Sequence, residues 1–165
     1  HANAGKRVLG ICGGLQMLGE ALIDLHGVDG NAAGLGLLPL ATLFAAEKTV
    51  QPTTITLPPL QAPWQALGGA AVRGYEIHHG QTELRADMQA AATSPAQELL
   101  PCMLWQGGNP AVLGTYLHGL FENATVIHAL FGHDAPSLDQ VFERLALGVE
   151  QWFAPESIEP AQKIL

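Results

Sequence analysis

Basic residues are scarce in this sequence: seven Lys and Arg against fifteen Asp and Glu, for a net charge of −8. A nucleic-acid partner needs a basic face, and so few cations cannot build one. Cysteine is scarcer still, with only Cys12 and Cys102. Two cysteines make no disulfide scaffold, so the expectation is a reduced thiol protein of the cytoplasm. No apolar run approaches the length of a membrane span, and the N-terminus carries no signal-peptide pattern, so no membrane partner is expected. A G-x-x-x-x-G-K-S/T phosphate loop is also missing, as are internal repeats and a domain linker. What is present is enough apolar content, 48% of 165 residues, for one domain with a real core.

The apolar pattern divides the chain into elements. Val8-Leu9-Gly10-Ile11 reads as a short buried strand. Leu15, Leu18 and Leu22 then recur at helical spacing and predict a helix that ends near His26-Gly27. Residues 27–36 are rich in Gly and Ala and read as a loop. Strands are expected over 37–44, over 53–57 and over 72–77, with Pro58, Pro59 and Pro63 breaking the chain between the last two. Residues 85–101 show no period. The runs 103–105 and 112–117 read as a hairpin around Gly107-Gly108-Asn109-Pro110. The last helix is the clearest. Leu138, Val141, Phe142, Leu145, Val149, Trp152 and Phe153 fall on one stripe. Ser137 and Gln140 fit a capping box at its start, and Pro155 follows its end. That stripe is expected to pack on a core, as are Trp64, Trp105 and Trp152.

Cys12 stands at the junction of the first strand and the first helix, in the pattern G-x-C-x-G. This is the arrangement of a nucleophile elbow, a sharp strained turn that exposes one side chain. Gly10 and Gly14 are expected to permit the tight turn and close packing. The Gly13 amide would point where an oxyanion forms. A thiol nucleophile needs a base or a positive environment. The helix N-terminus would supply part of this and lower the thiol pKa. His118, at a strand end and followed by Gly119, is the candidate base. A cysteine alone is more often buried and structural; the elbow context reverses that for Cys12, whereas Cys102 has no such context and reads as structural. His78 and His79 are neighbours on a strand and point to opposite faces, so no metal site is expected from them.

Three stretches carry a resemblance. G-I-C-G-G-L-Q-M-L-G, R-G-Y-E-I-H-H-G and G-T-Y-L-H-G-L-F-E-N, in that order, resemble the class I glutamine amidotransferase domain of cobyric acid synthases. The first is shared by several class I glutaminases, and the other two are more specific to this branch. The resemblance implies an α/β fold: a mostly parallel central sheet flanked by helices, with the elbow at the end of a central strand. It implies that residues 1–165 are a glutaminase domain, partial at its N-terminus and lacking its first strands, with the ATP-dependent synthetase domain absent. Cys12 would be the nucleophile and His118 the general base. Gly13, Gln16, Tyr75, Glu76 and His78 would lie on the substrate side. Glutamine would be the nitrogen donor. The corrinoid adenosylcobyrinic acid a,c-diamide would be amidated through the synthetase domain, where ATP and Mg are expected; no cofactor is expected in this part.

The sequence departs from the pattern at two places. Leu120 stands where many class I glutaminases carry a glutamate that orients the histidine, and Gln81 stands where this branch usually has arginine. Glu122 is a weak substitute for the missing glutamate. Two alternatives stay open at this point. One is the glutaminase domain of a related amidotransferase, a cobyrinic acid a,c-diamide synthase or a lipid II amidating enzyme, against which R-G-Y-E-I-H-H-G speaks. The other is an inactive docking module. An open sheet edge before the first strand would also favour a homo-oligomer.

Overall fold

The first strand, β1 (Val8–Ile11), runs directly into a helix of six residues, α1 (Gly13–Leu18). This computed structural model describes residues 1–27, 29–85, 96–107 and 109–153. The helix is shorter than its leucine spacing predicts. Gly19 ends it with extended backbone, and a Cβ there would stand 2.7 Å from the Leu40 carbonyl oxygen. The Glu20 N–H then donates to the same oxygen at 2.8 Å. Leu22 therefore lies not on the helix but in strand β2 (Ala21–Asp24). The following stretch is loop, apart from the two-residue strand β3 (Ala32–Ala33). The Asp24 carboxylate gathers it by accepting from the N–H groups of His26, Asp29 and Gly30.

The strands expected over 37–44 and 53–57 are one long strand, β4 (Leu40–Thr56). It pairs antiparallel with β5 (Ala71–Leu84), from Leu40 opposite Leu84 to Thr56 opposite Ala71. The register breaks once, between Phe44 and Thr49, where residues 45–48 stand against His79 alone. Such a bulge bends a strand and re-aims its side chains. The chain continues through β6 (Gln97–Leu100), β7 (Leu104–Gln106), β8 (Val112–Thr115) and β9 (Leu117–His118). Two helices close it, α2 (Ala124–Phe131) and α3 (Leu138–Trp152).

The α/β class holds, but the expectation of one mostly parallel central sheet does not. Two sheets are present, with orders β1-β8-β7-β6 and β3-β2-β4-β5-β9. Among the described pairs only β1·β8 and β2·β4 are parallel. The reason is connectivity: β6–β7, β7–β8 and β4–β5 are joined without a crossover helix, and such neighbours pair antiparallel. The predicted hairpin is β7–β8. The strand that leads to Cys12 lies at the edge of its sheet rather than at the centre.

β7 and β8 are buried on both faces, because successive side chains alternate between two cores. Leu104, Leu113 and Leu117 join Trp64, Val72 and Val126 on one side. Trp105, Val112 and Tyr116 join Leu15, Leu18 and Leu38 on the other. Burying Leu15 and Leu18 stabilises the seat of α1 by about 1.5–3 kcal/mol each. Trp64 and Trp105 pack as expected. Trp152 does not: it is 80% exposed, and α3 buries none of its residues. The stripe on α3 is thus an apolar face turned to solvent, while the predicted capping box of Ser137 and Gln140 is formed. Pro155 lies outside the described residues. Among those residues no helix is long and apolar enough to cross a membrane.

Candidate active site

Cys12 is the N-cap of α1 with φ 53° and ψ −115°. A non-glycine residue there is strained, at a cost of about 1–3 kcal/mol, and persists only where its surroundings fix it. Its own backbone does so. The Cys12 N–H donates to Thr115 O on β8 at 2.8 Å, and its carbonyl accepts from the Gln16 N–H at 3.1 Å. Gly10 makes room for the turn: a Cβ there would stand 2.6 Å from Leu18 Cδ1 and 2.7 Å from the Gly14 backbone. Gly14, expected to matter in the same way, has open space where a Cβ would go. The elbow predicted from G-x-C-x-G is therefore present.

The thiol is half-buried and donates to Ile77 O on β5 at 3.3 Å. Burial pushes its pKa up, against a smaller downward pull from the Gly13 N–H and the Lys48 charge. The helix end thus pulls the thiol down through the Gly13 N–H, as expected, but burial outweighs it. Desolvation disfavours the thiolate more than the Gly13 N–H and the Lys48 charge favour it. Lys48 comes within range through the β4 bulge, and nothing in its sequence setting signals this.

β5 joins the thiol to His118. Tyr75 lies directly opposite His118 in the β5–β9 pairing, two residues before Ile77. The two rings stack, with centroids 5.2 Å apart and planes 7° from parallel. His118 Nε2 is buried and, among the described residues, has no hydrogen-bond partner. Glu122 is exposed and does not bond to it. The turn after His118 is held by Asn123, whose amide accepts from the Arg73 N–H at 2.9 Å. It also donates to Arg73 O at 2.9 Å and Gly119 O at 2.8 Å. Asn123 thus copies a strand neighbour for Arg73. It lies in the quoted motif, but its clamping role is visible only once β5 and β9 are seen side by side.

Gln16, Glu76 and His78 are all buried, in one polar network behind the elbow. Gln16 Nε2 donates to the Tyr116 hydroxyl at 3.2 Å, and that hydroxyl is 2.6 Å from Thr82 Oγ1. The His78 ring stacks on Tyr116 with centroids 3.7 Å apart. Its Nδ1 lies 2.7 Å from Gly80 O and its Nε2 3.4 Å from Glu76 Oε2. Glu76 Oε1 accepts from Gln51 and Thr53. Burial raises the Tyr116 pKa, with hydrogen bonds from Thr82, Gln16 and Thr42 opposing and the adjacent Cys12 adding to it. Tyr116, Thr82, Gln51 and Thr53 are members of this network that sequence reasoning missed as site residues. His79 points the other way, toward Ala45 O in the bulge. Among the described residues no three His, Cys, Asp or Glu side chains are close enough to hold a metal ion. Cys102, read from the sequence as structural, is exposed in a turn at φ 54°.

Residues 1–126 match the CobB/CobQ-like glutamine amidotransferase domain. The chain is 58% identical over 159 residues to a cobyric acid synthase of Acidovorax sp. (strain JS42), covering 96% of this chain and 32% of that protein. It is 60% identical over 155 residues to the cobyric acid synthase of Acidovorax ebreus (strain TPSY), covering 94% and 31%. It therefore spans about a third of the length of the curated relatives it matches. With a cysteine elbow, a histidine at the neighbouring strand end and a match over most of its length, this chain belongs to the CobB/CobQ-like glutamine amidotransferase family.

Proposed function

We propose that this chain is the glutaminase part of a cobyric acid synthase and hydrolyses glutamine through Cys12 and His118. The observation that carries the reading is the strained cysteine at φ 53°, directly after β1, whose partner β8 ends shortly before His118. An unpartnered buried imidazole nitrogen costs about 1–3 kcal/mol, which an active site tolerates where a transient partner is to come. His118 Nε2 takes the thiol proton. The thiolate attacks the side-chain amide carbon of glutamine, and the Gly13 N–H receives the oxyanion. Ammonia leaves with the proton returned from His118. Water, activated by the same histidine, then cleaves the γ-glutamyl thioester to glutamate and the free thiol. Gln16, Glu76 and His78 shape the wall behind the reacting atoms.

The acceptor half of the reaction belongs to the longer protein. There, ammonia would amidate carboxylates of adenosylcobyrinic acid a,c-diamide, activated by ATP and Mg on a synthetase domain. The names of the relatives and the R-G-Y-E-I-H-H-G stretch support this acceptor. The test is labelling by a diazo-ketone glutamine analogue with mass spectrometry, using exposed Cys102 as internal control. Rapid labelling at Cys12 alone, blocked by glutamine and slowed in His118→Ala, is expected. Equal slow labelling of both cysteines would overturn the glutaminase assignment.

A further inference from the structure

Leu120 stands in the sequence where many class I glutaminases carry a glutamate that orients the histidine, and it packs in the apolar core instead. The imidazole plane is nevertheless defined, because the Tyr75 ring lies 7° from it at 5.2 Å between centroids. That offset, near-parallel arrangement is a favoured aromatic geometry. We propose that Tyr75 is the positioning residue for His118, holding the imidazole by stacking where other glutaminases use a carboxylate.

Three observations fix the pair. Tyr75 and His118 are direct cross-strand partners, whose side chains share one face of the sheet. On one side of the pair, Gly74 lets β9 approach: a Cβ there would run into His118 O and stand 2.9 Å from Leu117 Cδ1. On that same side, one residue further along β5, Asn123 ties Arg73 to Gly119 and so prevents slippage. The same strand also sets the thiol, which donates to Ile77 O two residues beyond Tyr75. Base and nucleophile are thereby referenced to one rigid element. Tyr75 is 39% exposed and belongs to neither buried cluster, so core packing does not account for its ring.

The inference rests on His118 being the general base, and the experiment separates the two claims. Steady-state glutaminase kinetics are measured on the natural full-length polypeptide and its variants. Misplacing a catalytic group by about 1 Å can cost about a hundredfold in rate. Tyr75→Leu is therefore expected to lower kcat by about 10–100-fold with KM changed by less than about threefold. Tyr75→Phe keeps the ring and should recover most of that loss. Should Tyr75→Leu fail to fold by circular dichroism, Tyr75→Thr, also a good strand former, takes its place. A raised KM at unchanged kcat would make Tyr75 a substrate contact and overturn the proposal. So would an unchanged kcat in Tyr75→Leu, or a loss in Tyr75→Phe as large as in Tyr75→Leu. His118→Ala checks the underlying reading: if it keeps its kcat, the base assignment falls, and the proposal with it.

Discussion

Gly80→Ala probes how tightly the network behind Cys12 is built. The Gly80 backbone lies outside the left-handed region, so alanine meets no conformational bar. The obstacle is space. The added methyl group would stand 2.6 Å from Thr42 Cγ2 and 2.8 Å from the Tyr116 hydroxyl, and would run into Gln16 Nε2. None of these can retreat freely: Thr42 and Tyr116 are each 1% exposed and Gln16 7%. Overpacking of this kind costs about 1–3 kcal/mol. Displacing Gln16 from Tyr116 loses a hydrogen bond, about 0.5–1.5 kcal/mol more. The stiffer unfolded chain returns about 0.4–1 kcal/mol. The net expectation is destabilisation by about 2–3 kcal/mol, mostly from the clash. Urea unfolding followed by tryptophan fluorescence reads it as a lower midpoint at unchanged slope. Gly14→Ala is the control, since nothing lies within 4 Å of a Cβ there; it should be neutral or stabilising by up to about 1 kcal/mol. Gly80→Ala within about 0.5 kcal/mol of wild type would refute the claim that this cluster has no slack.

Two further outcomes are expected. Asn123→Ala removes the bonds to both backbone groups of Arg73 and to Gly119 O. It should cost about 1–3 kcal/mol in urea unfolding and slow Cys12 labelling, and labelling at the wild-type rate would show that the clamp does not reach the site. The pH dependence follows from the raised Cys12 thiol and Tyr116 hydroxyl. Both are acids whose neutral form the fold favours. Their contribution is full below the ordinary thiol and phenol values and is lost as pH rises through the raised ones, so stability should decline on the alkaline side. In His118→Ala, Cys12 alkylation should reach half its maximal rate at a more alkaline pH than a free thiol, and a midpoint at or below that of a free thiol would contradict the burial argument.

Much of the site was legible because its chemistry is local in sequence. G-x-C-x-G specifies a turn within a few residues, and the turn is there. The hairpin signal around 107–110 and the capping box of Ser137 and Gln140 are local in the same way. What failed depended on distant partners. Leu22 fits a helical spacing, yet Gly19 must turn beneath Leu40, so the helix ends at Leu18. The stripe on α3 predicts a buried face, but amphipathicity reveals only that a face wants cover, not what covers it. One helix end predicts a downward pull on the thiol, and the pull is there, whereas the net shift is set by everything packed around the sulfur. Lys48, Tyr116 and Asn123 reach the site through a bulge, a stacked ring and a side-chain clamp, none of which has a spacing rule.

The raised thiol pKa bears on the division of labour at the proposed site. A cysteine with a depressed pKa would be nucleophilic at rest, and its histidine would serve mainly as an acid for the leaving group. Here burial keeps the sulfur protonated, and its proton is directed at Ile77 O rather than at a base. The proposed reaction must therefore begin with the thiol turning from Ile77 O toward His118, whose Nε2 has no other partner. General-base removal of that proton contributes about 10²–10⁴-fold only when the base is correctly aimed. A ring held by stacking rather than by a carboxylate keeps its aim without placing a second negative charge near the forming thiolate. Without a carboxylate behind it, the imidazolium that forms is stabilised by the thiolate it has just made, so the proposed proton transfer succeeds only while thiol and ring stay aimed at each other.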